Sequence, residues 1–161
     1  MATALDAIPL QEVKDYLKVD FADDDIILTR IIGTAVALVE KHTSHYLYPR
    51  EVVLRGVKNG YEVYHYPYSI TSLVDVEGAA IEYNVEPYAL SDKIHFGYSV
   101  SHRGTLALTV GYESRELIPE PLITACYRII NYLYEHRDLK QAVIPSDVYL
   151  DLQYYRRYAT I

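Results

Sequence analysis

The chain has 161 residues, 50% of them hydrophobic and 23% charged, with 7 Gly and 7 Pro, a make-up that fits one folded domain and excludes a disordered chain. Twenty-two acidic residues against fifteen basic ones give a net charge of −7, which excludes a plain basic grip on nucleic acid. The single cysteine, Cys126, excludes an internal disulfide framework; with no run long enough for a bilayer and no leader-like opening, the chain is expected to be soluble and intracellular, with no membrane partner.

Residues 9–18 read as a short helix. Pro9 suits a first turn, and Leu10, Val13 and Leu17 share one face. Asp23, Asp24 and Asp25 then offer N-cap oxygens and complement the positive end of a helix dipole. The helix they start is predicted over 24–45. Ile27, Ile31, Ala35, Leu38 and His42 form one stripe, and Leu28, Ile32, Val36 and Val39 form its neighbour. So wide an apolar surface makes the helix either central or partly covered by another subunit. His42 and His45 near its end would favour the negative dipole end when protonated.

The period changes to β over 51–112. Val52 and Leu54, then Tyr61, Val63, Tyr64 and Tyr66, give short runs split at Lys58-Asn59-Gly60, and Pro67 breaks the second. Ile70–Val76, Ile81–Val85 and Ile94–Phe96 follow, punctuated at Glu77-Gly78 and Ser91-Asp92. Thr105–Tyr112 is the clearest strand, with Leu106, Leu108 and Val110 on one side. Some six short strands imply a small antiparallel sheet or sandwich.

Helical period returns over 119–137, where Leu122, Ala125, Cys126, Ile129 and Leu133 share one face and Ile123, Tyr127, Ile130 and Tyr134 another. Beyond a connector, Val148, Leu152 and Tyr155 share the face of a last short helix, followed by Arg156 and Arg157. One short helix is not stable alone, so it must dock on something. The expected fold is therefore α+β: two N-terminal helices, a compact antiparallel β middle and one long helix after the strands, forming a domain over 1–144, then a docking segment over 145–161.

Few residues point to chemistry. His136-Arg137-Asp138-Leu139-Lys140 spells the start of a kinase catalytic loop, but the metal-binding Asn expected five residues after Asp138 is Val143, and no glycine-rich loop accompanies it. His42 and His45, three apart on the predicted helix, lack a third ligand of matching pattern, so no metal is expected. His65, His95 and His102 fall among the strands, where packing or exposure is the expectation. Cys126 sits on an apolar face as a packing unit. No catalytic residue and no cofactor are expected. Tyr154, Tyr155, Arg156, Arg157 and Tyr158 do interleave rings and charges as a nucleic-acid contact would. A small nucleic-acid-binding regulator is thus the alternative reading, against the acidic balance. Eighteen tyrosines with two Phe and no Trp suit half-wet surfaces, whether at protein interfaces or as a substitute for Phe.

The order of these pieces resembles the phage head–tail connector family, the adaptor or head-completion proteins that form a ring beneath the portal. The motifs in sequence are Pro9-Leu-Gln-Glu-Val-Lys-Asp-Tyr-Leu-Lys-Val19, the acidic Asp23-Asp24-Asp25, a long helix ending Val39-Glu40-Lys41-His42-Thr43, and Tyr68-Ser69-Ile70-Thr71-Ser72-Leu73, where Tyr-Ser replaces the family's Pro-Val. Val110-Gly111-Tyr112, Ile118-Pro119-Glu120-Pro121-Leu122, Tyr132-Leu133-Tyr134-Glu135-His136-Arg137, Ile144-Pro145-Ser146-Asp147-Val148 and Tyr155-Arg156-Arg157 complete the series, from about residue 8 to 158. The resemblance implies a non-catalytic virion protein at the head–tail interface, assembled in the host cytoplasm as a ring of about twelve copies. Its implied partners are the portal protein on one side and a tail-side stopper or tail-completion protein on the other, with DNA passing through the lumen without specific binding. Carried onto this chain, Val148, Leu152, Tyr155, Arg156 and Arg157 become portal-docking candidates, and Ile31, Val36, Tyr127, Ile130 and Tyr134 subunit-interface candidates. An excess of acid fits a channel that must not hold the duplex: residues 1–44 carry −4, residues 45–116 carry −3, and the remainder is neutral.

Overall fold

A computed structural model describes residues 2–88, 91–96, 103–137 and 142–157. The chain opens with a single turn, α1 (Ala4–Ala7), which the sequence reading did not anticipate, and continues into α2 (Leu10–Leu17). Lys18 stops α2 by turning left-handed at φ 57. The Lys14 ammonium, 2.7 Å from Asp25, then ties α2 to the start of α3 (Asp25–Thr43). Helix α3 is shorter than predicted because Ser44 turns left-handed at φ 61 and ends it.

Six strands follow: β1 (Arg50–Val57), β2 (Tyr61–Val63), β3 (Tyr68–Val74), β4 (Tyr83–Tyr88), β5 (Ser91–Phe96) and β6 (Gly104–Val110). They form two antiparallel sheets, ordered β1-β6-β3 and β2-β5-β4. Ser91 and Asp92, expected as punctuation, instead begin β5. Strand β6 is the centre of the first sheet, with Leu108 opposite Val52 on one side and Ile70 on the other. Leu106, Leu108 and Val110 point into one apolar cluster with Val57, Val63, Leu73, Ile94 and Phe96, so both sheets close on a shared core. At the end of β6, Gly111 has φ +107, and a Cβ there would fall 2.1 Å from the Tyr48 carbonyl oxygen. Only glycine fits that crossing.

Helices α4 (Glu120–Glu135) and α5 (Ser146–Leu152) complete the chain. Tyr134 and Arg137, at the far end of α4, both reach Asp24 at the start of α3, so the two helices run antiparallel. Leu28, Ile32, Ala35, Val36 and Val39 from α3 bury with Leu122, Ala125, Cys126, Ile129, Ile130 and Leu133 from α4. Val13 of α2 and Val148 and Leu152 of α5 join that same cluster. The architecture is thus the expected α+β, with a helical core and a separate small β core.

One carboxylate links the two layers. Glu40 on α3 is buried, accepts the Leu47 backbone N–H at 2.8 Å, and pairs with Arg50 at the start of β1 at 2.6 Å. The Arg50 guanidinium also lies over the rings of Tyr46 and Tyr48. Glu40→Ala strands a buried N–H and uncouples Arg50, so it should cost about 3 kcal/mol. Urea denaturation checks this: the midpoint should fall well below that of Lys41→Ala, a neighbouring exposed control.

Candidate functional site

The C-terminal segment lies at the junction of the helical and β layers. Pro145 precedes α5, whose inward side chains Val148 and Leu152 are each 1% exposed. Arg128 of α4 holds the opposite edge, pairing with Asp147 and, at 2.7 Å, with Asp151. Past a tight turn at Gln153–Tyr155, the Arg157 backbone N–H donates to the Thr43 carbonyl at 2.9 Å. The Arg157 guanidinium lies 4.7 Å above the Tyr66 ring and 3.8 Å from Asp92, which also accepts the Tyr68 hydroxyl at 2.9 Å. The tail therefore straps the end of α3 to β5, and Arg157 sits in a cradle formed by His45, Tyr66 and Asp92.

This placement revises what the sequence-chosen residues can do. Val148 and Leu152 pack on their own chain, because α3 and α4 leave an apolar cleft that α5 fills. Tyr155 is half-buried beside His45, Arg157 is half-buried in the cradle, and Arg156 is exposed. Val36 and Ile130 are buried in the helix pair. Ile31, Tyr127 and Tyr134 are half-buried against it, with the Tyr127 hydroxyl donating to Glu12 and that of Tyr134 to Asp24. Beside the Glu12 carboxylate, burial pushes the Tyr127 phenol up to about 12. Ile130→Asp would thus break the core rather than probe an interface. Of the two stripes of α3, Leu28, Ile32, Val36 and Val39 are buried among the other helices, whereas Ile27 is exposed and Ile31, Leu38 and His42 are half-buried beside the buried Ala35.

The histidines also differ from the helical expectation. His45 lies beyond α3, bridged to Tyr66, and its Nδ1 shares a 2.8 Å hydrogen bond with the Tyr112 hydroxyl. His42 stays on α3, its Nε2 3.3 Å from the Gln153 amide. Burial lowers the affinity of both for a proton, and Arg156 adds to this at His42 and Arg157 at His45. His45 thus lies beyond the helix end that it was expected to cap, and at His42, in the last turn, burial disfavours the charged form. His65 is buried between the rings of Tyr46 and Tyr64, and burial lowers its pKa as well. The Cys126 thiol is buried and its pKa pushed up, mainly by desolvation, leaving it inert as a nucleophile. Asp138, Leu139 and Lys140 of the kinase-like run, His102 and Tyr158 lie outside the described residues. Among the described residues, no group of three His, Cys, Asp or Glu side chains is placed to hold a metal, and no helix is long and apolar enough to cross a membrane.

Several large apolar side chains are left uncovered at separate places on the surface. Tyr149, Leu150 and Tyr154 form the outward side of the C-terminal segment, Tyr154 being 91% exposed. Phe21, Ile26 and Ile27 project at the start of α3, and Leu117 projects ahead of α4. Sequence periodicity marks the buried halves of these helices and includes Ile27 in a stripe, but it gives no signal for Phe21, Ile26, Leu117, Tyr149, Leu150 and Tyr154, which are apolar at positions off the stripes.

No protein-family model matches the chain, and no curated protein matches it. Solved structures do match over its whole length. The neck of an empty gene transfer agent (GTA) particle computed with C6 symmetry aligns at TM-score 0.78 and 22% identity, covering 100% of this chain and 95% of that one. The neck of the native GTA particle computed with C12 symmetry aligns at 0.76 and 21%, covering 100% and 94%. A chain of the virion of the native GTA particle aligns at 0.73 and 20%, covering 100% and 95%. At these identities the likeness is one of fold, and it extends from the first helix to the C-terminal strap.

The cradle should be acid-sensitive. The His45 imidazole is held down to about 4 from an ordinary 6.5, so between those values the unfolded chain binds a proton that the folded one refuses. Stability contributed at this site is complete above about pH 6.5 and is lost as pH falls towards 4. Urea midpoints at pH 7 and pH 5 should fall further for the native chain than for His45→Gln, which keeps a polar partner for Tyr112 but does not titrate.

Proposed function

We propose that this chain is a structural subunit of the neck of a phage-like particle, joining a DNA-filled head to its tail as one member of a ring. The observation that carries the reading is the full-length match to chains of GTA necks, two of them computed with cyclic symmetry. Such a ring needs a rigid subunit with outward apolar surface. The helical core supplies the rigidity, and Phe21, Ile26, Leu117, Leu150 and Tyr154 supply the surface. The net charge of −7 suits a wall along which DNA slides without being held.

In this reading the C-terminal segment meets the portal protein, and the far side of the ring receives a stopper or tail-completion protein. The contact is made by the outward side of the strap, with Tyr149, Leu150 and Tyr154 as anchors and Arg156 beside them, while Val148 and Leu152 keep the segment seated. A nucleic-acid-binding regulator finds less support, because Arg157 of the Tyr/Arg segment is committed to Thr43, Tyr66 and Asp92.

Removing residues 145–161 would uncover the helical core, so substitutions on the outward side are the cleaner probe. Leu150→Asp with Tyr154→Ser should leave the melting temperature within about 3 °C of the native value, since exposed positions contribute little. The same variant, supplied to a host lacking the native gene, should yield filled heads and free tails instead of joined particles in negative-stain micrographs. Tailed, infectious particles formed without any copy of this chain would overturn the reading. So would a gel shift with duplex DNA at physiological salt that Arg156→Ala and Arg157→Ala abolish.

A further inference from the structure

The outward face of α3 carries a shallow groove of about 540 Å³ lined by Arg30, Gly33, Thr34, Ala37, Leu38 and Lys41. Nothing lies within 4 Å of where a Cβ on Gly33 would stand, so the floor is open. Ile26, 68% exposed, extends the apolar stripe towards the start of the helix. Arg30 and Lys41 stand at the two ends, eleven residues and thus about 16 Å apart. Neither has an acidic partner among the described residues, although the chain carries an excess of acid. A helix face that is apolar in the middle and cationic at both ends asks for a partner that is apolar in the middle and anionic around it.

The chain itself presents such a surface elsewhere. Leu117, 60% exposed, stands on the turn Arg115–Leu117 that leads into α4. Exposed Glu113 and Glu120 flank it, neither with a cationic partner among the described residues. Glu116 adds a third carboxylate, held ionised first by its hydrogen bond to Ser114. Arg115 does not cancel them, because it is turned inward to the Ala7 carbonyl and the Glu12 carboxylate.

We infer that the α3 groove of one copy receives the Leu117 turn of the next, with Leu117 over Gly33 and Ala37 and the flanking glutamates towards Arg30 and Lys41. The inference rests on the neck-ring reading and deepens it by naming the contact that repeats around the ring. Two unlike patches on each subunit generate a head-to-tail series, which is what cyclic closure requires. Pairing the groove with itself across a two-fold axis would set cations against cations, so the charge pattern favours the unlike partner.

Cysteines placed at Ala37 and Leu117 test this, since both sites are exposed and native Cys126 is buried. Ala37→Cys/Leu117→Cys should give a ladder of cross-linked multimers on non-reducing gels after mild copper–phenanthroline oxidation, both in concentrated protein and in purified particles. Either single variant should give no ladder. A dimer from Ala37→Cys alone would overturn the inference in favour of a two-fold contact. Charge reversal gives a second readout: Arg30→Glu/Lys41→Glu and Glu113→Lys/Glu120→Lys should each cut incorporation into particles at least tenfold, and the combined variant should restore it. Particles that contain the double-cysteine chain but yield no ladder overturn this contact while leaving the neck reading in place. Absence of the native chain from particles overturns both.

Discussion

The antiparallel packing of α3 against α4 is the constraint on which the rest of the molecule depends. Each of its fully buried aliphatic side chains, from Leu28 and Ile32 to Ile129 and Ile130, is worth roughly 1.5–3 kcal/mol of burial. No other pair of helices here is long enough to act as a nucleus for the layer. Helices α1, α2 and α5 add to this pair, each through a few side chains, such as Val13, Val148 and Leu152. The β layer has its own core and is joined to the pair by Leu47 and Tyr112, which bury in the helical cluster, and by polar groups: Glu40 to Leu47 and Arg50, and Arg157 to Thr43 and Asp92. Two apolar cores joined by directional bonds keep a fixed angle in a way that a greasy contact alone would not.

The tyrosine content follows from this layered plan. Tyr46, Tyr64, Tyr66, Tyr68 and Tyr112 gather with His45 and His65 where the helices meet the sheets. At a seam half apolar and half polar, a phenol fills volume as Phe would and still finds a partner, as Tyr68 does with Asp92 and Tyr112 with His45. On the helical side, Tyr127 and Tyr134 use their hydroxyls to pin Glu12 and Asp24, fastening α4 to α2 and to the entrance of α3. Many of the tyrosines are therefore joints inside the subunit. Others stay exposed: Tyr154, and Tyr149 with one side of its ring against His42.

How much could be read in advance depended on whether the signal was local. The 3.6 period placed α2, α3 and α4 to within two residues, and alternation placed β6 with Leu106, Leu108 and Val110 inward. The left-handed turn at Ser44 has no such signature, so periodicity carries the predicted helix on to His45, which lies beyond its end. The single turn α1 is too short to show a period. The candidate site was less legible for one physical reason: a two-striped apolar helix looks the same whether its second stripe meets another subunit or another helix of its own chain. Val36, Ile130, Val148 and Leu152 were apolar for the second reason. Charge pairing is non-local as well, and only the fold shows that Arg128 is engaged while Arg30 has no acidic partner among the described residues.

That distinction between engaged and unengaged charge bears on how a ring of such subunits can hold. An exposed ion pair contributes ~0–1 kcal/mol, and one apolar knob about 1.5–3 kcal/mol, so a single groove-and-turn contact is too weak to bind two free subunits durably. Weakness at each joint is compatible with a stable ring, because the last contact of a closed series forms between partners already held together, at high effective concentration. A platform presenting many equivalent docking positions extends the same advantage to every joint. In the proposed contact, like-charge repulsion between two grooves or two turns disfavours two-fold pairing and leaves the unlike pairing as the favoured one. A strong hydrophobic pair inside the chain sets its shape, and in the proposed ring the weak, unlike, charge-rimmed patches outside it would let that shape repeat.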